Sequence, residues 1–194
     1  MTRHGPPEHC PDCGSALSHP DPPTVHRCRD CDEFVFHNPT PNCRVAVLES
    51  DRVLFARIDD AHRVEPSPDD PEREWMLPGG HLEVDEQPDT AAARELHEET
   101  GLAVDPDDLR LFDAVTRQVV EGSHALVLLY AVARRATEGE PVGASDAAGA
   151  AFLGPGEFGG RERYRTLYDE PERYREPSGL RDRARAALAG QDRA

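Results

Sequence analysis

GHLEVDEQPDTAAARELHEETGL, residues 80–102, holds seven carboxylates and one arginine among twenty-three residues. Pro88 suits the first turn of a helix and Gly101 its stop, and the residues between them are strong helix formers, so this stretch predicts one helix. At about 100° per residue, Glu95, Glu98 and Glu99 fall within an arc of about 100°, with Ala92, Ala93 and Leu96 on the neighbouring side. Like charges at i and i+4, and acids in the last turns, both work against a helix. Stability alone does not select this pattern. A solvated acidic face is one account of it. The other is a divalent cation, Mg²⁺ or Mn²⁺, which takes hard oxygen ligands, neutralises the cluster and typically serves phosphate chemistry.

Strands are expected on both sides of that helix. CRVAVLE and RVLFARI, joined at Ser50-Asp51, read as a strand pair with Val45, Val47, Val53 and Phe55 inward. An acidic, proline-rich segment from Asp59 to Glu74 reads as a surface loop, and WMLPGG as a short extended piece ending in a turn. Downstream, LRLFDAVTR and HALVLLYAVAR read as two more strands, the second apolar enough to be central, and AGAAFLG as a last one. From Pro177 to Gly190, Leu180, Ala184, Ala187 and Leu188 share one side of a second helix. The pattern is a mixed sheet with helices, in the α/β or α+β class.

Residues 1–42 are poor in aliphatics and cannot build an ordinary core. CPDC (Cys10, Cys13) and CRDC (Cys28, Cys31) enclose fourteen residues, the spacing of a two-knuckle zinc ribbon. Four thiolates close a tetrahedral site, and Zn²⁺ binding then supplies the folding free energy that the missing core does not. Two disulfides are the alternative, disfavoured in an intracellular setting. Cys43 lies outside the pattern and reads as a strand residue.

The 194-residue chain carries a formal charge of −16, and all its 22 Lys and Arg residues are arginine. Such a surface disfavours nucleic acid and anionic membranes as partners. It fits a salt-rich cytoplasm, where ionic strength screens repulsion between carboxylates. No apolar run reaches the length of a membrane span, and residues 1–10 lack the apolar stretch of a signal peptide, so a cytoplasmic protein is expected.

Gly80, Glu86, Arg94-Glu95-Leu96, Glu98-Glu99 and Gly101-Leu102 together resemble a complete Nudix box, with every defining position matched. The strands on either side and the LPGG approach are similar to the Nudix α/β/α sandwich over residues 43–190. The ribbon at 1–42 is similar to that of NADH-pyrophosphatase-like members, and 191–194 would form a tail. The resemblance implies that Glu95, Glu98 and Glu99 hold Mg²⁺ or Mn²⁺, with a backbone carbonyl of Gly79 or Gly80. Arg94 and Glu86 would orient these ligands through a salt bridge. The implied reaction is hydrolysis of a nucleoside diphosphate linked to another moiety, with a carboxylate accepting a proton from the attacking water. Some family members recruit that base from a loop beyond the central strands, where Glu138, Glu140 and Asp146 are candidates and Asp146 is best placed.

Substrate signals are sparse. The SQPWPFPxS array of NADH pyrophosphatases is absent after Leu102, as are the downstream proline of ADP-ribose pyrophosphatases, the tyrosine of diadenosine polyphosphate hydrolases and the coenzyme A signature. A nucleotide small molecule such as ADP-ribose or a relative is the expected substrate. Trp75, Phe112, Tyr130 and Phe152 read as core rather than base-stacking residues. His81 and His97 read as exposed, and Arg161–Glu176 as a solvated connector. Two other functions compete: a nucleotide-sensing regulator or binding module, and hydrolysis of RNA caps or NAD caps. Residues 1–42 have a net charge of −3 and no basic run is present, which counts against a nucleic-acid ribbon. The ribbon also offers a contact surface for a homodimer.

Overall fold

The structure, a computed structural model, describes residues 5–58, 75–120, 122–142, 147–154, 156–157, 174 and 177–190. The expected loop from Asp59 to Glu74, Asp146 and most of the Arg161–Glu176 segment lie outside the described residues. The chain divides into two compact units, residues 1–40 with 118–125, and residues 41–117 with 126–194.

In the first unit, β1 (Ser18–Asp21), β2 (Val25–Cys28) and β3 (Glu33–Phe36) form a three-stranded antiparallel sheet in that order. Its core is small: Cys10, Leu17 and Cys28 are buried, with Cys31 and Val35 packed against them.

The second unit is built on a six-stranded sheet. Its strands are β4 (Thr40–Glu49), β5 (Arg52–Ile58), β6 (Trp75–Met76), β8 (Arg110–Val120), β9 (Ser123–Ala133) and β11 (Ala147–Leu153). The order is β11-β5-β4-β9-β8, with β6 beside β5. A separate antiparallel pair joins β7 (Ala103–Val104) to β10 (Thr137–Glu138). Two helices, α1 (Pro88–Thr100) and α2 (Pro177–Ala189), complete the mixed sheet-and-helix architecture expected from the sequence.

β4 and β5 turn at Ser50, whose φ of 56° is left-handed, and pair with Leu48 opposite Val53. The expected inward residues are all buried, but on two faces. Cys43, Val45, Val47 and Leu54 join the cluster that includes Ala92 and Leu96 of α1. By alternation, Ala46, Leu48, Val53 and Phe55 face the other way and are buried as well. A sheet covered on both faces replaces the simple in–out pattern of a one-sided strand. Tyr130 lies in the α1 cluster and Phe152 packs against it, so both serve the core.

α1 begins at Pro88, whose missing N–H is no loss in a first turn. It ends at Gly101, with φ 75° and an N–H that closes on the His97 carbonyl. On α2, Leu180 and Ala184 are fully buried, as the apolar side of that helix requires. No helix among the described residues is long and apolar enough to cross a membrane.

Candidate functional site

The segment approaching α1 runs beside the first half of β4. The N–H groups of Cys43 and Val45 donate to the carbonyls of Gly80 and Pro78, each at 2.9 Å, and His81 bridges Asn42. Two glycines make this approach possible. At Gly79, φ is 140° and a Cβ would lie 2.2 Å from the Cys43 carbonyl oxygen. At Gly80, a Cβ would fall 2.5 Å from the Glu95 carboxylate, so that carboxylate lies directly over bare backbone. Arg44 reinforces the loop from beneath, donating from Nη1 to the carbonyls of Leu77 and Gly79.

Arg94 organises the acids of α1. Its Nε and Nη2 grip the two oxygens of Glu86 at 2.9 and 3.0 Å, a bidentate fork. Its Nη1 reaches Glu95 Oε1 at 2.9 Å and Glu98 Oε2 at 3.0 Å, while Nη2 also donates to the His81 carbonyl. Glu99 is held by a different donor, the Gly79 N–H, at 2.9 Å from Oε2. One guanidinium and one backbone amide thus gather Glu86, Glu95, Glu98 and Glu99 beside Gly79 and Gly80. Glu138 lies in β10, and Glu140 is exposed, 3.7 Å from Arg134 Nη2. His81 and His97 are exposed, as expected.

The electrostatics of this group are divided. The Arg94 fork holds Glu86 below the ordinary carboxylate range, and Glu86 in turn raises the Arg94 pKa. Glu95 goes the other way, because burial disfavours its charge by more than Arg94 favours it. The depressed Glu86 pKa makes its stabilisation fully present above the unfolded value near 4.5 and lost as pH falls through the folded one. Glu95 has the opposite sign: stability present below its unfolded value is lost as pH rises through the raised one. Glu86→Gln is therefore expected to lower Tm by roughly 3–8 °C at pH 7. In melts from pH 3 to pH 7 that gap should close at the acid end; a gap of constant size would remove the ion pair as its cause.

In the first unit, the sulfur atoms of Cys10, Cys13, Cys28 and Cys31 all lie within 4.8 Å of one another. Cys13 to Cys28 is 3.5 Å and Cys10 to Cys31 is 3.9 Å. These distances bracket the edge of about 3.8 Å that a tetrahedron with Zn–S of ~2.3 Å requires. Hydrogen bonds from Ser15 lower the Cys13 pKa to about 6, whereas Cys31 is raised by its sulfur neighbours Cys13 and Cys28 and by burial. A first thiolate thus opposes the next, a conflict that a soft divalent cation relieves. Among the described residues this is the one set of His, Cys, Asp or Glu side chains that converges so closely. The glutamates of α1 are more open, with Arg94 between Glu95 and Glu98.

Sequence reasoning passed over Asn42, Arg44 and Arg117, which are 2%, 8% and 6% exposed. The available signal was an arginine near the start of one strand stretch, CRVAVLE, and at the end of another, LFDAVTR. Arg44 and Arg117 both lower the pKa of His81, after the larger effect of the partial burial of its ring.

Comparison with known proteins places these elements in context. A family model described as the NUDIX domain matches residues 39–171. A MutT-like protein of Streptomyces ambofaciens is 51% identical over 47 residues, 24% of this chain and 30% of that protein. The m7GpppN-mRNA hydrolase NUDT17 of Danio rerio is 54% identical over 35 residues, 18% of this chain and 12% of that protein. This chain therefore spans less than a third of the length of either curated relative. The crystal structure of a NUDIX hydrolase from Nitrosomonas europaea superposes with a TM-score of 0.58 at 15% identity, covering 94% of this chain and 93% of that one.

Proposed function

Because the chain belongs to the NUDIX domain family over residues 39–171, we propose that it is a metal-dependent hydrolase of the diphosphate linkage in a nucleoside diphosphate joined to another moiety. The observation that carries this reading is the box on α1, complete in sequence and gathered by Arg94 and the Gly79 N–H. An acidic helix face serving only solvation needs neither a bidentate clamp nor two glycines cleared of side chains beside the carboxylates.

The donor set suits Mg²⁺ or Mn²⁺, being carboxylate and carbonyl oxygen throughout. Glu95, Glu98 and Glu99, with the Gly79 or Gly80 carbonyl, would hold it, and the bound ion would supply Lewis-acid polarisation of phosphoryl oxygens and an acidified water. Arg94 and Glu86 keep Glu95 and Glu98 in position, and the Gly79 N–H fixes the angle of Glu99. A carboxylate of this group, or Asp146, accepts the proton of the attacking water. Structural zinc would belong to the cysteines of the ribbon, taken as residues 1–42, with the hydrolase domain at 43–190. The chain's acidity further supports a protein adapted to high salt.

Turnover of ADP-ribose, NADH, nucleotide sugars, diadenosine polyphosphates, nucleoside triphosphates and capped RNA, with Mg²⁺ or Mn²⁺ at low and molar KCl, tests this reading. One diphosphate is expected to be cleaved much faster than the rest, to a nucleoside monophosphate and a phosphorylated partner, and faster in molar KCl. Nucleotide binding without turnover of any substrate would instead assign the fold to sensing.

A further inference from the structure

The sheet of the first unit has two edges, and the sequence treats them differently. β1 carries Pro20, which has no N–H to offer, and its register against β2 shifts between Ser18 and Asp21. Both devices blunt an edge against further pairing. β3, Glu33-Phe34-Val35-Phe36, has neither: it pairs with β2 in unbroken register and is the outer strand of the sheet among the described residues. Phe34 and Phe36 are nevertheless 53% and 59% exposed. By alternation they share one face, with ring centroids 6.4 Å apart and the Arg27 guanidinium 5.4 Å from the Phe34 centroid.

The main chain of β3 offers itself at the same edge. His37 donates its N–H to the Thr24 carbonyl at 2.9 Å, and the register continues with Val35 opposite His26 and Glu33 opposite Cys28. In an antiparallel ladder, hydrogen-bonded pairs alternate with open ones. Glu33, Val35 and His37 therefore bond to β2, while Phe34 and Phe36 direct their N–H and C=O groups outward. The occupant of that edge can be read from β3 itself. Laid antiparallel on a second β3 with Val35 on the two-fold axis, Phe34 faces Phe36 and Glu33 faces His37. The outward-bonding residues then meet each other and exchange N–H and C=O bonds in both directions, and their rings form aromatic pairs across the strands. At each end of the pairing an imidazole N–H meets a carboxylate. A shift of two residues either way breaks this match, by bringing in Asp32, held left-handed at φ 58°, or Asn38, beyond the end of the strand.

We propose that β3 is a contact between two copies of this chain, joined by antiparallel pairing of residues 33–37 about Val35. The phenylalanines of both copies together remove on the order of 400 Å² from water, well under the ~1,200 Å² at which stable complexes begin. The dimer is therefore reversible, forming at micromolar concentrations and above. It stands independently of the hydrolase reading, because no residue of the α1 group takes part.

Sedimentation of the full chain as purified, in about 0.2 M KCl, tests the pairing. The Debye length of ~7 Å there screens repulsion between whole copies but not between side chains on facing strands. Dimer is expected to replace monomer as the concentration rises from roughly 1 μM to 1 mM. Phe36→Lys, which places a charge on the edge, should weaken the dimer at least about tenfold. His37→Glu sets a second carboxylate opposite Glu33 at both ends and should weaken it roughly tenfold. Adding Glu33→His to that variant should restore the dimer, because the exchanged pair still meets across the two-fold axis. Slow hydrogen exchange of the His26 and Val35 amides, which bond to each other within one copy, confirms that the ribbon of each variant is folded. The exchange of Glu33 and His37 carries the test if Phe36→Lys is not folded. Monomer at every concentration, an unchanged dimer in folded Phe36→Lys, or no restoration by Glu33→His overturns the pairing and leaves the edge to a partner of another sequence.

Discussion

Glu99→Gln is expected to lower kcat/KM for the best substrate by at least about 10²-fold while leaving the protein folded. The substitution is nearly isosteric, and the Gly79 N–H, which donates to Glu99 Oε2 at 2.9 Å, still meets an oxygen if the amide carbonyl takes that place. Exchanging a charged acceptor for a neutral one weakens that bond by about 1 kcal/mol, worth roughly 2–4 °C in Tm for a chain of this size. Removal of one negative charge from a crowded helix face offsets part of this loss. Activity, in contrast, loses a full charge at the point where the proposed metal and diphosphate meet. Glu83→Gln is the matched control, an exposed acid in the loop leading into α1 and outside the clamp, and should change kcat/KM less than about twofold. If Glu99→Gln keeps more than a tenth of the activity, the carboxylate is a structural tether for Gly79 and the chemistry lies elsewhere.

What could be read in advance follows from the range of the forces involved. Pro88 and Gly101 bound α1 through backbone constraints of single residues, so the helix was visible in twenty-three letters. The Cys quartet was equally plain, because metal coordination fixes ligand spacing along the chain. The arrangement around Arg94 was only half legible. An arginine among glutamates suggests pairing, but the fork onto Glu86 depends on a loop folding back against the helix. Still less visible was the run from Pro78 to Leu82 alongside β4, because it arises from hydrogen bonds between residues more than thirty positions apart. That run buries Asn42 and Arg44, two polar residues that an alternating pattern would have turned toward water. The same non-local coverage buries both faces of β4 and β5, so Val47 and Phe55, grouped together in the sequence, serve opposite sides.

Loss of the ribbon metal is expected to have the largest structural effect. Among the described residues, the apolar core of the first unit consists, apart from its cysteines, of Leu17 with Val35 packed against it, and burying two such side chains contributes only about 3–6 kcal/mol. Ordering even the twelve residues of β1, β2 and β3 opposes folding by more than that, at roughly 1–2 kcal/mol each. Structural Zn²⁺ supplies on the order of 10–16 kcal/mol in comparable small modules, enough to reverse the balance. The protein as purified should therefore contain one equivalent of zinc by mass spectrometry under native conditions. Cys28→Ser should contain none, because Cys28 is fully buried and a neutral hydroxyl cannot replace its thiolate. In the same variant, the amides of β2 and β3 that pair Val25 with Phe36 and Arg27 with Phe34 should pass from slow to fast hydrogen exchange. A strong chelator should do likewise to the unaltered chain. Metal-free protein that keeps slow exchange, and whose denatured mass shows two disulfides resisting alkylation, would mean that the quartet is a covalent clasp. The ribbon would then owe its order to the oxidation state of the compartment rather than to zinc.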